Sequence, residues 1–131
     1  MTEDRERGAA KEKAEEKRIL RGEGEGVTPF TERVIRIIRS IPAGCVMTYG
    51  QIAELAGNRR GARQVVRILH AMSGTHRLPW HRVVNARGEI AIKDDEGRFL
   101  QMARLKDEGV EVDESGKVDL NRYRHHPSPG Q

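Results

Sequence analysis

Apolar positions along this chain fall at helical spacing in its middle and cluster more tightly toward its end. Phe30, Val34, Ile37, Ile38 and Ile41 share one helical face, with Arg33, Arg36 and Arg39 largely off it. Thr28-Pro29 supplies an N-cap with proline at the first helical position, and Pro42-Ala43-Gly44 stops the helix. Thr48-Tyr49-Gly50-Gln51 then has the T-x-x-Q form of a capping box. It opens a short helix carrying Ile52, Ala53, Leu55 and Ala56, which Gly57 closes. After Asn58-Arg59-Arg60-Gly61, the apolar residues Val65, Val66, Leu69 and Met72 predict a third helix from about Ala62 to Met72. A short helix, a tight glycine-containing turn and an arginine-bearing helix form the pattern of a helix-turn-helix, though many helical pairs share it.

The next stretch, Pro79-Trp80-His81-Arg82-Val83-Val84-Asn85, holds the only tryptophan. Pro79 fixes its own φ and biases Leu78 toward extended backbone, so Trp80 enters on a stiff strand or turn. A core tryptophan at a strand start is the plainer reading of that stretch taken alone. Val83-Val84 and Glu89–Ile92 are expected to pair as a hairpin around Ala86-Arg87-Gly88. Lys93 to Gly97 reads as a polar loop, and Arg98 to Glu108 as a last helix with Leu100, Ala103 and Leu105 apolar and Gly109 at its end. Val110–Asp113 and Lys117–Leu120 flank Glu114-Ser115-Gly116, a second candidate hairpin. The domain is expected over residues 28–121, and the fold class is mainly α with small β hairpins, a winged helix-turn-helix-like arrangement. Residues 1–27 alternate charges around Ala and Gly and read as a disordered tail, and residues 122–131 as a frayed end.

Composition narrows the function. Hydrophobic residues are 36% and charged residues 34% of the 131, so one domain of modest core is expected. No apolar run approaches the ~20 residues that span a bilayer, and no apolar signal segment is read at the charged start. A single cysteine, Cys45, excludes an internal disulfide and suits a reducing cytosol; no metal site is read. The formal charge of +4 is unevenly spread. Residues 55–88 hold seven arginines (Arg59, Arg60, Arg63, Arg67, Arg77, Arg82, Arg87) and no Asp or Glu. Such a window attracts phosphate, although basic character alone names no target.

Four blocks taken together, IPAGCVMTYGQIAELAG, GARQVVRILHAM, LPWHRVVNARGEI and LKDEG, resemble the DNA-binding domain of the O6-alkylguanine-DNA alkyltransferases from about Pro29 to Gly109. In that family the central block reads PCHRV, and its cysteine accepts the alkyl group from a flipped base. Trp80 stands at that position here, which is the mark of the alkyltransferase-like branch. His81 and Glu108 match the pair that activates the thiolate, so both are vestigial in a chain with no thiol to activate. An indole N–H is a donor only and cannot replace a thiolate. Cys45 matches a structural position. The family's active-site Asn corresponds to Met72, and the loop Ile92 to Gly97 lacks the family's Tyr-Ser-Gly, leaving Lys93 to reach a base or a phosphate.

By the same resemblance, Arg63 is the finger that enters the base stack and Tyr49 crowds the 3′ phosphate. Ala62, Arg63 and Gln64 lie along the minor groove, with Gln51 and Arg67 as further DNA contacts. The lesion pocket is expected from Tyr49, Leu69, Pro79, Trp80, His81, Arg82, Val83, Val84 and Lys93, with the Trp80 and Val83 backbones on the guanine edge. Unstacking costs a few kcal/mol, least for a mispaired base, so an O6-alkylguanine would be extruded preferentially. The resemblance thus implies a monomeric, non-enzymatic sensor of O6-alkylguanine in duplex DNA that flags lesions for nucleotide excision repair. No cofactor and no membrane are implied, and the location is cytoplasmic (nucleoid-associated), or nuclear in a eukaryote. Two rivals stand beside it: a sequence-specific winged-helix transcriptional regulator with Trp80 in its core, and an enzyme using Cys45 or His81 with Glu108.

Overall fold

A computed structural model describes residues 28–74 and 76–127, so the expected tail over residues 1–27 lies outside the described residues. In chain order the elements are α1 (Pro29–Ser40), β1 (Met47–Thr48), α2 (Tyr49–Leu55), α3 (Ala62–Met72), a 3-10 turn (Trp80–Arg82), β2 (Val83–Val84), α4 (Asp95–Asp107) and α5 (Leu120–Tyr123). Thr28 caps α1 by accepting from the Thr31 N–H at 3.2 Å, and Val34, Ile38 and Ile41 are buried as the spacing predicts. Ile35 joins them at 2% exposure, which widens the apolar stripe beyond the expected face. Thr48 caps α2 through the Gln51 N–H at 3.0 Å. The Gln51 side chain does not complete the box: its Nε2 donates to the His125 carbonyl at 2.6 Å. A Cβ at Gly61, which precedes α3, would lie 2.8 Å from Phe30 Cζ and 3.0 Å from the Asn58 carbonyl oxygen, so any larger residue there must push the Phe30 ring aside. That contact closes the turn between α2 and α3 against α1.

The two strands pair in parallel, with Met47 opposite Val83 and Thr48 opposite Val84. Successive strand side chains point to opposite faces. Met47 and Val83 therefore enter a first core with Val34, Ile38, Ile52, Val65 and Leu69, while Val46 and Val84 enter a second with Ile90, Leu105, Val110 and Val118. Burying a side chain of this size contributes about 1.5–3 kcal/mol. The short ribbon is the seam between a helix-turn-helix lobe and a smaller lobe built on α4.

Several expectations change. Val83-Val84 is not one arm of a hairpin: it pairs in parallel with β1, and the expected second arm bridges antiparallel from Glu89 to Lys117 instead; the residues between form a turn in which Asn85 Oδ1 accepts from the Arg87 and Glu89 N–H groups at 2.9 Å. Gly88 then carries φ +83°, and a Cβ there would lie 2.3 Å from the Val118 carbonyl oxygen. The second hairpin is present as a single Val112–Val118 antiparallel bridge. Helix α4 starts three residues earlier than expected because Asp94 is its N-cap, accepting from the Gly97 N–H at 2.9 Å. Leu100 is 43% exposed, so the core side of α4 is carried by Gln101 and Leu105. Finally, residues 122–125 are not frayed: Val46 donates to the Tyr123 carbonyl and accepts from the His125 N–H, each at 2.8 Å.

Candidate nucleic-acid interface and base cavity

Helix α3 buries Val65 and Leu69 and turns Arg63, Gln64 and Arg67 to solvent, with Ala62 half-buried at its start. Arg63 and Arg67 stand one turn apart on that outer face. The first turn contains no acidic residue, and Arg59 and Arg60 of the preceding turn are exposed. Four exposed arginines thus lie in or just before the first two turns of α3, near its positive end, a setting suited to phosphate. Gln51 is not part of this surface, since its amide is tied to His125.

Beside α3 lies a cavity of about 230 Å³, on the scale of one heterocyclic base. Tyr49 from the start of α2 forms one wall, and Val66, Leu69, His70 and Ser73 from α3 form a second. Trp80, Ile92 and Gln101 complete it. Burial pushes the Tyr49 phenol above its ordinary value. Trp80 is half-buried; its ring meets the His81 ring edge-on at 6.2 Å, and the Arg104 guanidinium lies 5.5 Å from its centroid. The indole is a wall of an opening and not a sealed core residue.

The structure brings Tyr49, Leu69 and Trp80 together as expected, and places the other expected pocket residues elsewhere. Pro79, the N-cap of the 3-10 turn, is not in the wall. A 3-10 turn sends successive side chains in different directions. Trp80 therefore faces the cavity while His81 and Arg82 point behind it, to Glu108. Val83 and Val84 fill the two cores, and Lys93 is exposed while its neighbour Ile92 takes the cavity side. Both backbone positions expected on the guanine edge are already bonded: the Trp80 carbonyl accepts from the Val83 N–H, and the Val83 carbonyl from Gln101 Nε2 at 3.0 Å.

Behind the turn, Glu108 gathers His81 and Arg82. His81 Nε2 lies 3.0 Å from Glu108 Oε2, and Arg82 reaches the same carboxylate through Nε at 2.9 Å and Nη2 at 2.5 Å. Arg82 Nη1 also donates to the Ile41 carbonyl at 2.8 Å, which ties the turn to the end of α1. The hydrogen bond from Arg82 holds the Glu108 carboxyl down at about 2. Burial lowers the His81 pKa, outweighing the opposing pull of Glu108. A neutral imidazole donating from Nε2 to a permanent carboxylate follows, with Nδ1 buried and without a partner. That is the arrangement of a base, but the neighbouring position carries an indole. Cys45 sits in the turn between α1 and β1 against the first core and is not in the cavity wall.

Met72, at the expected Asn position, packs half-buried on the first core. The chain then turns through backbone bonds from His76 N–H to Met72 carbonyl at 2.9 Å and from Leu78 N–H to Ser73 carbonyl at 3.1 Å. Arg77 takes φ +52°, the one non-glycine residue with positive φ among those described. Sequence reasoning missed Val66, His70, Ser73, Gln101 and Arg104, while Ile92 begins the loop it set over the pocket. Part of the signal was present: Val66, Leu69, His70 and Ser73 fall at i, i+3, i+4 and i+7, a stripe offset from the core face of α3. No group of three or more His, Cys, Asp or Glu able to hold a metal occurs among the described residues, and no helix there is long and apolar enough to cross a membrane.

Residues 29–110 match the family described as 6-O-methylguanine DNA methyltransferase, DNA binding domain. The DNA base-flipping protein of Escherichia coli (strain K12) is 46% identical over 95 residues, 72% of this chain and 73% of that protein. Alkyltransferase-like protein 1 of Schizosaccharomyces pombe is 37% identical over 103 residues, 75% of this chain and 95% of that one. The crystal structure of S. pombe Atl1 in complex with damaged DNA containing O6-carboxymethylguanine matches with a TM-score of 0.68 at 37% identity, over 75% of this chain and 95% of that chain. By its helix-turn-helix lobe, its central turn and these similarities, the chain belongs to the family of the 6-O-methylguanine DNA methyltransferase DNA-binding domain.

Proposed function

We propose that this protein is a non-enzymatic sensor of DNA damage that binds O6-alkylguanine in duplex DNA and flips it against Trp80. The observation that carries the reading is the half-buried indole in the wall of a base-sized cavity directly beside the arginine face of α3. Arg63 fills the gap in the base stack, Tyr49 presses on the adjoining phosphate, and Arg67, Gln64 and Ala62 follow the minor groove. A base stacked on an aromatic plate gains about 1–3 kcal/mol, enough to offset much of the cost of unstacking it. Alkyl transfer has no acceptor: His81 and Glu108 keep their mutual geometry, while the single cysteine lies outside the cavity. Bound lesions are then handed to nucleotide excision repair. Lys93, exposed on the loop next to Ile92, can reach the bound nucleotide from the rim.

The test is a titration of fluorescent duplexes with and without one O6-methylguanine, followed by mass spectrometry of the recovered strand. Preferential binding with the methyl group retained is expected. Equal affinity for both duplexes would point to a sequence-specific regulator, and loss of the methyl group to an enzyme.

A further inference from the structure

The outer face of α1 carries charge that neither the cavity nor the α3 surface uses. Arg33, Arg36 and Arg39 stand along it at steps of about 4.5 Å, and all three are exposed. Arg33 Nη1 donates to the Ala56 carbonyl at 3.2 Å, and Arg39 Nη2 to the His76 carbonyl at 3.4 Å. A carbonyl fixes a guanidinium without neutralising it, and each fork keeps most of its donors free. Arg36 makes no ion pair among the described residues, and neither do Glu32 and Glu54, the nearest carboxylates in the sequence. Arg59 and Arg60 extend the row at one end, where Gly57 approaches Arg33 and Gly61 sits against Phe30. Arg77 extends it at the other: it is exposed, follows the carbonyl that holds Arg39, and keeps φ +52°. Like charges gathered without partners repel, and a long side chain at positive φ is strained. Both costs point to an anionic partner that offsets them.

Val34, Ile35 and Ile38 of α1 meet Val65 and Leu69 of α3 in the first core. The exposed stripes of two helices packed through one core point away from each other, so Arg36 does not face a duplex laid on α3. The basic residues instead form a belt from Arg63 and Arg67, around the turn bearing Arg59 and Arg60, to α1. We propose that the arginine face of α1 is a second duplex-binding surface, taking the phosphate backbone of DNA beyond the base pairs at the lesion. The proposal rests on the duplex-binding part of the reading above and not on lesion preference. A row of guanidinium groups suits a polymer with one phosphate per roughly 3.4 Å of each strand, where a lone anion would engage one fork at a time. Two sources offer that backbone: the flank of the same duplex bent around the turn, and a separate duplex. Through either, the protein grips DNA from two sides.

Two measurements on the whole chain, as wild type, Arg36→Ala and Arg36→Glu, separate the sources. In the first, an O6-methylguanine duplex on beads is saturated with protein, washed and offered a fluorescent undamaged duplex. In the second, affinities are compared for O6-methylguanine duplexes of about 12 and about 40 base pairs. Capture by wild type assigns a separate duplex, and about fivefold tighter binding of the longer duplex assigns the flank. Arg36→Ala should lower capture about threefold, or cut the length gain below about twofold, and Arg36→Glu should abolish either. Affinity of Arg36→Ala for the short duplex should stay within about twofold of wild type, with the melting temperature unchanged, because Arg36 is exposed. Neither capture nor length gain in wild type, or either one surviving in full in Arg36→Glu, overturns the proposal. Wild type binding O6-methylguanine no better than guanine overturns the lesion-sensing reading alone, since capture and length gain still decide this one.

Discussion

Replacing Glu108 with glutamine removes one charge and leaves the shape of the network behind Trp80 almost unchanged. In the native fold the carboxylate accepts from Arg82 Nε and Nη2, faces His81 Nε2 and takes the Gly44 N–H at 3.4 Å. These contacts hold its pKa at about 2 against an ordinary 4.5, with the Arg82 hydrogen bond as the largest cause. Such a shift corresponds to about 3 kcal/mol at face value, and water at the partly open carboxylate reduces it to about 1–2 kcal/mol. The sign follows from linkage. A carboxyl whose folded pKa is depressed contributes stability that is fully present above its unfolded value and disappears as pH falls through the folded one. Glu108→Gln should therefore lower stability by about 1–2 kcal/mol at pH 7, and the gap to wild type should close between about pH 4.5 and pH 2. Urea denaturation followed by circular dichroism over that range measures both. A gap that stays constant with pH, or no loss at pH 7, would refute the claim that the charged network anchors the turn bearing Trp80.

Other substitutions separate DNA contacts from packing. Arg63→Ala should weaken binding to an O6-methylguanine duplex by about tenfold or more, the worth of a charged contact, with the melting temperature unchanged because the side chain is exposed; undiminished affinity would reject its role in the stack. Arg104→Leu should shift the emission of the single tryptophan while costing less than about 1 kcal/mol in stability, since the guanidinium lies over the indole at an exposed site. Gly61→Ala should destabilise the fold by about 1–3 kcal/mol, because the new Cβ meets Phe30 Cζ at 2.8 Å; a neutral result in thermal melts would show that α1 gives way freely.

Much of the helix-turn-helix lobe was legible in the sequence. Thr28, Thr48 and Gly57 mark its helix ends by local chemistry, and α3 occupies the span its apolar spacing predicts. The smaller lobe was less so, for a physical reason. Val83-Val84 has strand propensity, but which partner takes its edge depends on Met47 and Thr48 arriving from almost forty residues upstream. Local pattern sees only the nearer Glu89–Ile92, and so suggests a hairpin. The early start of α4 was hidden because Asp94 reads equally as loop or cap. At the site, the resemblance identified Trp80, Tyr49 and the His81–Glu108 pair, and the direction in which each side chain points was beyond it. Consecutive residues from Trp80 to Val84 look like one block on paper; a 3-10 turn followed by a two-sided strand sends them to the cavity, the carboxylate and two separate cores. Gln101 and Arg104 gave no signal because a polar residue on a charged helix is ordinarily solvated.

The central claim is that a nucleobase leaves its stack and comes to rest on the Trp80 ring. Since Trp80 is the single tryptophan, its fluorescence reports that event with no label. Titration with an O6-methylguanine duplex should quench the emission strongly and saturably, and a matched unmodified duplex should quench it much less. Emission that does not change while the damaged duplex is demonstrably bound would contradict the account.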